Sequence, residues 1–412
     1  MRKSISRRGF MAGTVAAAGA ASLPLQVSFA QSAPLKLGLL TVKTGPLAAG
    51  GIQMEQGLTS FLKSKNFTLA GRKVDLIVAD TGGNPAGAKT KAQELIERDQ
   101  VDIITGPLAA FELLAISSYT AAHKIPVLSL AAAEDMTQRK PNPYFIRASA
   151  TAAQAMQPLA DFAAKELKYK KVITISEDFA FGYEQMGGFQ RVFEDEGGRV
   201  LKKLWPPLVT ADYTPYLAQI SGVDAVVQGF AGSNPVKFMK QYADQGLKYP
   251  VLAGEAGCDD FLMNSFGDEV IGLVSAAPYT ADLQNEANER FIAAMTKEYH
   301  VLVGQYSALL WLNGQVIEAG LEKTGGKTDN KEALIKALRS VDLKDTLRGP
   351  VRFDHFGNVV GDIFIRRAEK KNGKLFNHTI KTYHNVSQFW TFPEKWFLEQ
   401  PVYSRDYPPL KS

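Results

Sequence analysis

Short apolar runs rich in β-branched residues recur along this chain, and longer segments with apolar positions at helical spacing separate them. The runs lie at residues 35–42, 74–80, 102–105, 126–130, 171–176, 200–205, 224–229, 251–254 and 272–276. They are apolar on successive positions rather than alternate ones, which predicts strands buried on both faces. The intervening segments predict the covering helices. Asn84-Pro85 marks one helix start, since Asn caps the first N–H groups and Pro suits the first turn. Ala88, Ala92, Leu95 and Ile96 then share one face. Strand–helix alternation of this kind predicts an α/β fold with parallel sheets covered on both sides. Nine strands fit comfortably into two sheets, and a strand-like run gives way to a helix at 147–153. The segment 287–323 reads as long and mostly helical, with Phe291, Met295, Tyr299, Leu309, Leu312 and Val316 as its apolar stripe. A polar loop follows at 323–330. The tail at 382–412 is rich in Trp, Phe, Tyr and Pro and is expected to lie across the rest of the chain.

Composition changes this picture little. The 412 residues are 45% apolar and 22% charged, enough for a large core divided among two or three domains. The net charge of +5 is concentrated at the start, in Arg2, Lys3, Arg7 and Arg8. Without those four the chain is nearly neutral, which leaves no electrostatic footprint for nucleic acid. The single cysteine, Cys258, excludes an intramolecular disulfide and argues against a structural zinc cluster. The five histidines show no metal-ligand spacing, so neither metal nor cofactor is expected.

The first thirty residues read as an address. Ser6-Arg7-Arg8-Gly9-Phe10-Met11 is a twin-arginine export pattern, an Ala- and Gly-rich apolar stretch follows, and Ser28-Phe29-Ala30 predicts cleavage after Ala30. Ala12 stands where the usual Lys follows the pattern, so the general secretion route stays open. Pro24 breaks the stretch, which is too short and small-sided for a spanning helix. The mature chain is expected in the periplasm.

Chemical motifs mostly fail. The run from Gly82 to Thr90 invites a phosphate-loop reading, but Ala88 separates Gly87 from Lys89. A capped turn at a strand end is the expectation instead. No GxGxxG follows the first strand and no GxSxG elbow occurs. Glu177, Asp178, Asp259 and Asp260 are expected in loops, with no sign of a paired acid and base. No enzyme is predicted.

The order of several short segments carries a resemblance. They are Leu37-Gly38-Leu39-Leu40 leading to Thr44-Gly45-Pro46-Leu47, Ala79-Asp80-Thr81 before Asn84-Pro85, and Ile104-Thr105-Gly106-Pro107. Next come Ile125-Pro126-Val127-Leu128-Ser129, Phe145-Ile146-Arg147, Ser176-Glu177-Asp178 with Phe181-Gly182, and Gly254-Glu255. Gly349-Pro350-Val351-Arg352-Phe353-Asp354 with Gly357 closes the series. In this order, from about 35 to 361, the chain resembles the periplasmic solute-binding proteins of the branched-chain amino acid class of ABC transporters. The resemblance implies a type I periplasmic binding protein, α/β, with two Rossmann-like lobes around a ligand cleft. It places one lobe at 34–149 plus 280–349 and the other at 150–279 plus 350–412. It implies a small-molecule ligand, ABC permease and ATPase partners in the inner membrane, and passage through the twin-arginine machinery.

The resemblance also implies where the ligand sits, and here the sequence departs. Amino acid binders hold a carboxylate with backbone N–H groups aided by hydroxyls. This chain has Ala109, Ala110 and Phe111 where those relatives carry serines, and Ala131-Ala132-Ala133 where they carry a threonine. Gly50 and Phe181 replace tyrosines, and Glu255 stands where relatives hold the ligand ammonium. The candidate ligand-binding residues are therefore Ala110, Phe111, Ala132, Ala133, Phe181, Phe230 and Glu255. Rings favour an aromatic or bulky organic acid or amide. A branched-chain or other amino acid binder is one alternative, and an amide sensor of the same fold signalling to a partner protein is another.

Overall fold

The computed structural model describes residues 33–411; the expected export signal at 1–30 and its cleavage site lie outside the described residues. The first part of the chain runs β1 (Leu35–Thr41), α1 (Ala48–Ser64), β2 (Thr68–Leu69), β3 (Arg72–Asp80), α2 (Pro85–Gln93), β4 (Ile103–Thr105), α3 (Ala110–Ala122), β5 (Val127–Leu128) and β6 (Phe145–Ile146). These strands form one sheet in the order β2-β3-β1-β4-β5-β6. It is parallel from β3 to β6, with β2 antiparallel at the edge. Leu35, Leu37, Leu39 and Leu40 of β1 are all fully buried, as strands covered on both faces require.

The chain continues through α4 (Ala152–Lys165), β7 (Lys171–Ser176), α5 (Ala180–Asp195), β8 (Arg199–Leu204), α6 (Thr214–Leu217), β9 (Ala225–Gly229), α7 (Asn234–Asp244), β10 (Val251–Ala253) and β11 (Val274–Ala277). The second sheet has the parallel core β11-β10-β9-β7-β8. Strands thus occupy all nine expected runs, and the fold is α/β with two lobes. Asn84 caps α2 by accepting the Gly87 N–H at 2.8 Å, so the Gly82–Thr90 run is the capped turn expected.

Three helices follow: α8 (Glu286–Tyr299), α9 (Gln305–Lys323) and α10 (Lys331–Arg339). They return to the first lobe, where α8 and α9 pack on α1. A Cβ on Gly57 of α1 would lie 2.0 Å from the Ser307 carbonyl oxygen, so only glycine allows α9 to cross this closely. The stretch read as mostly helical is two helices. His300, in the left-handed conformation at φ 55°, ends the first of them.

The chain then crosses back into β12 (Asp342–Leu343), β13 (Val351–Phe353), β14 (Val359–Lys371) and β15 (Lys374–Val386), before α11 (Glu394–Glu399). All four strands extend the second sheet, β14 pairing antiparallel with β11. The tail beyond Val386 packs Phe389, Phe397 and Tyr403 against Ala153 of α4.

Candidate functional site

In an open parallel sheet, ligands bind beyond the carboxyl ends of the strands, where neighbouring connections diverge. In the first sheet β3 and β4 flank β1, so the divergence falls between β1 and β4. Loops from both sheets converge on one narrow cavity. Leu47 follows β1; Leu108, Ala109 and Ala110 follow β4; Leu130 and Ala132 follow β5. From the second sheet come Phe179 and Phe181 after β7, Ala231 after β9 and Glu255 after β10. Gln305, Tyr306 and Leu309 reach it from the start of α9.

Four of the seven residues expected from the sequence line this cavity: Ala110, Ala132, Phe181 and Glu255. Three do not. Phe111 lies behind the wall, its ring edge-on to Phe179 at 5.4 Å. Ala133 is buried at φ 92°, and its N–H donates to Glu184 across the lobes. Phe230 is fully buried against Tyr213 and Phe238, at 5.1 and 4.7 Å between ring centres, and is core. Sequence reasoning missed Phe179, which stacks on Phe181 at 5.9 Å, and it missed Gln305 and Tyr306. The Tyr306 ring packs where a side chain at position 50 would stand: a Cβ on Gly50 would meet it at 3.1 Å.

Hydrogen bonds across the lobes hold the cleft closed. The Ser233 N–H donates to the Pro46 carbonyl at 3.1 Å. Asp259 accepts the Gln305 N–H at 3.1 Å on each oxygen, a cap on α9 supplied by the other lobe. Glu184 accepts from Ala133 and Glu134.

The cavity's polar groups are few. Its polar side chains are Glu255, Gln305 and Tyr306; the other lining side chains are apolar or aromatic. Ala110 and Phe111 begin α3, and the first N–H groups of a helix have no partner within it. Such a terminus also favours an anion. Ser129 orders the next loop, accepting from the Ala131 N–H at 2.9 Å while donating to the Pro107 carbonyl at 2.6 Å. Glu255 is 9% exposed. Burial pushes its carboxyl up to about 8, with Asp259 adding to the shift. Burial likewise pushes Asp259 up to about 7, Asp260 contributing. Arg147 and Arg348 are fully buried nearby, and burial lowers each to about 10.

Two converging α/β lobes with a cavity between their strand ends define a binding protein, and the family agrees. The chain belongs to the periplasmic binding protein family, whose model matches residues 34–374. It is similar to the Leu/Ile/Val-binding protein homolog 6 of Brucella suis, 26% identical over 90% of this chain and 96% of that protein. Among solved structures it resembles a solute binding protein of an ABC transporter from Rhodopseudomonas palustris in complex with 3,4-dihydroxybenzoic acid. Identity there is 31% and the TM-score 0.82, over 86% of this chain and 98% of the other. A second R. palustris solute binding protein, in complex with 4-hydroxybenzoate, is 29% identical with a TM-score of 0.81, covering 86% and 98%. The leucine binding protein of Thermotoga maritima shares the fold at 21% identity and a TM-score of 0.76, over 85% and 99%. The chain is an ABC-transporter substrate-binding protein.

Proposed function

We propose that this protein is the periplasmic capture subunit of an ABC importer for a small aromatic carboxylic acid, which it binds without altering. The observation that carries this reading is the cavity itself: Phe179, Phe181, Leu47, Leu108 and Leu130 make an apolar slot at the start of α3. An aromatic ring gains about 25 cal/mol per Å² of apolar area buried there. Its carboxylate meets the N–H groups of Ala110 and Phe111, which need no hydroxyl to help. The benzoic acids carried by two structural relatives support the same class. The lobes, at 34–149 plus 280–341 and 150–279 plus 342–412 since β12 joins the second sheet, close over the ligand by hinge motion. In the closed form they present one surface to the permease, whose ATPase partner lies across the membrane, and the twin-arginine route delivers the chain.

Glu255 favours one competing reading, an amino acid whose ammonium it would hold. Titration calorimetry separates the two. Benzoate, 4-hydroxybenzoate and 3,4-dihydroxybenzoate are expected to bind more tightly than leucine, isoleucine or valine. Sub-micromolar leucine binding with no heat from any aromatic acid would sink the proposal.

A further inference from the structure

Glu255 projects into the cavity as a carboxyl group that no described donor reaches; burial and the charges around it are all that act on it. Three guanidiniums lie close by, and each is engaged elsewhere. Arg147 donates to the carbonyls of Ala131 and Ala133 at 3.3 and 2.8 Å and to Thr137 and Asn358. Arg348 donates to the carbonyls of Ala148, Ser149 and Asp362. Arg366 is paired with Asp260 at 3.1 Å and meets only the backbone oxygen of Glu255, at 3.5 Å. The other titratable groups around this site are Asp259 in the same loop, Tyr306 on α9, Glu177 after β7, Glu134, Glu184 and Asp354 around Arg147, and Asp362 beside Arg348. An ionised Glu255 would be a desolvated anion without a hydrogen bond, a costly arrangement.

We propose that Glu255 stands in the cavity as a neutral carboxylic acid and that the ligand is captured as an anion, so that binding is linked to a proton on Glu255. The inference rests on the aromatic-acid reading and gives it a selectivity mechanism. A neutral Glu255 offers an O–H donor and removes one negative charge from the surroundings of Arg147 and Arg348, leaving Glu134, Glu184 and Asp354 around the first and Asp362 around the second. Neither arginine has a carboxylate within ion-pair distance among the described residues. The field of the two guanidiniums favours a monoanion. A zwitterion would need Glu255 ionised to match its ammonium, so amino acids are discriminated against at the same group.

The linkage has a definite sign. Burial in the closed cleft raises Glu255 to about 8, and a neighbouring anion raises it further. The open, ligand-free form exposes the carboxyl and holds it lower, so closure around the ligand takes up a proton. Affinity then falls with rising pH, by up to tenfold per unit, until the bound form also ionises above about pH 8. Calorimetry at pH 7 and pH 9 with benzoate and 4-hydroxybenzoate as probes tests this. The expected result is roughly tenfold weaker benzoate binding at pH 9. Uptake approaching one proton near pH 7 should accompany it, measured in buffers of different ionisation enthalpy. Glu255→Gln should abolish the pH dependence, while retaining Asp259 and Glu177. Aromatic acids that bind equally at both pH values, or a pH dependence that survives in Glu255→Gln, would overturn the proton linkage and leave the aromatic-acid reading standing. If neither probe binds at any pH, both fall together. The proton-uptake measurement uses the unaltered chain and does not depend on the variant folding.

Discussion

Phe179 and Phe230 carry the same ring just beyond the ends of adjacent strands of the second sheet, yet one faces the cavity and the other the core. Phe230 packs with Tyr213 and Phe238 and has no exposed surface. Phe230→Ala should therefore cost about 3–5 kcal/mol of stability. Phe179→Ala removes one wall of the cavity and should weaken an aromatic acid five- to tenfold, about 1 kcal/mol. It should change stability far less. Urea denaturation and calorimetry on the two variants check this pair; equal loss of stability in both would contradict the placement. The sequence distinguishes such residues poorly. Ala110, Ala132, Phe181 and Glu255 were legible because each lies just past an apolar run and so near a strand's carboxyl end. Phe230 meets the same criterion yet lies in the core, since one residue beyond β9 its side chain packs inward. Gln305 and Tyr306 were invisible because no proline marks the break at 300–304. Read as one helical stretch, the segment gives them no reason to face the cleft.

At the scale of elements, the tail beyond Val386 is a strap across both lobes. Arg139 of the first lobe donates to the carbonyls of Phe397 and Gln400, at 3.2 and 2.7 Å, at the end of α11. Arg191 on α5 of the second lobe lies within 5.0–5.6 Å of the ring centres of Trp396, Phe397, Tyr403 and Tyr407. It also donates to the Tyr407 hydroxyl at 3.0 Å. A buried cation among aromatic faces gains about 2 kcal/mol. Arg191→Ala should loosen the strap, so that limited proteolysis releases a C-terminal fragment of the variant while the wild type stays intact. Undiminished protease resistance would show that the aromatic contacts alone hold it. The aromatic richness of this tail announced that it would pack. The hairpin before it carries a readable turn signal. Asn372 and Gly373, at φ 51° and 78°, join Lys371 to Lys374 as a two-residue turn with both central φ positive. β6 is the strand-like run that gives way at 147, whereas β2 and β12 were not legible, because two residues with no flanking apolar run carry too little pattern to separate a strand from a loop.

Across the whole molecule, buried acids flank the closed cleft, Glu134 on the first lobe and Glu177, Glu184, Asp259 and Glu255 on the second. Burial pushes Glu177 up to about 7, although it accepts from the Ala231 N–H at 3.0 Å and from Asn234. Asp259 and Glu255 reach about 7 and about 8. The folded chain thus binds protons that the unfolded chain releases near pH 4–4.5. Stability is greatest at the acidic end of that window and declines as pH climbs through 7 to 8. The melting temperature should fall by about 5 °C or more between pH 5.5 and pH 8.5, each unit of raised pKa amounting to about 1.4 kcal/mol. Scanning calorimetry checks it, and a melting temperature that rises over this range would contradict the arrangement. A saturating aromatic acid should raise the melting point at every pH where it binds.

The same burial bears on a thiol. Cys258 is fully enclosed, its sulfur 3.8 Å from Asn377, and burial pushes it up to about 12. The nucleophilic thiolate is therefore scarce at neutral pH and shielded from reagents. Cysteines introduced on the outer surfaces of the two lobes would then be the only thiols open to maleimide dyes, with the native residue left in place. A donor–acceptor pair mounted that way would read opening and closing of the cleft as light, turning the chain into a reagentless sensor for its own ligand.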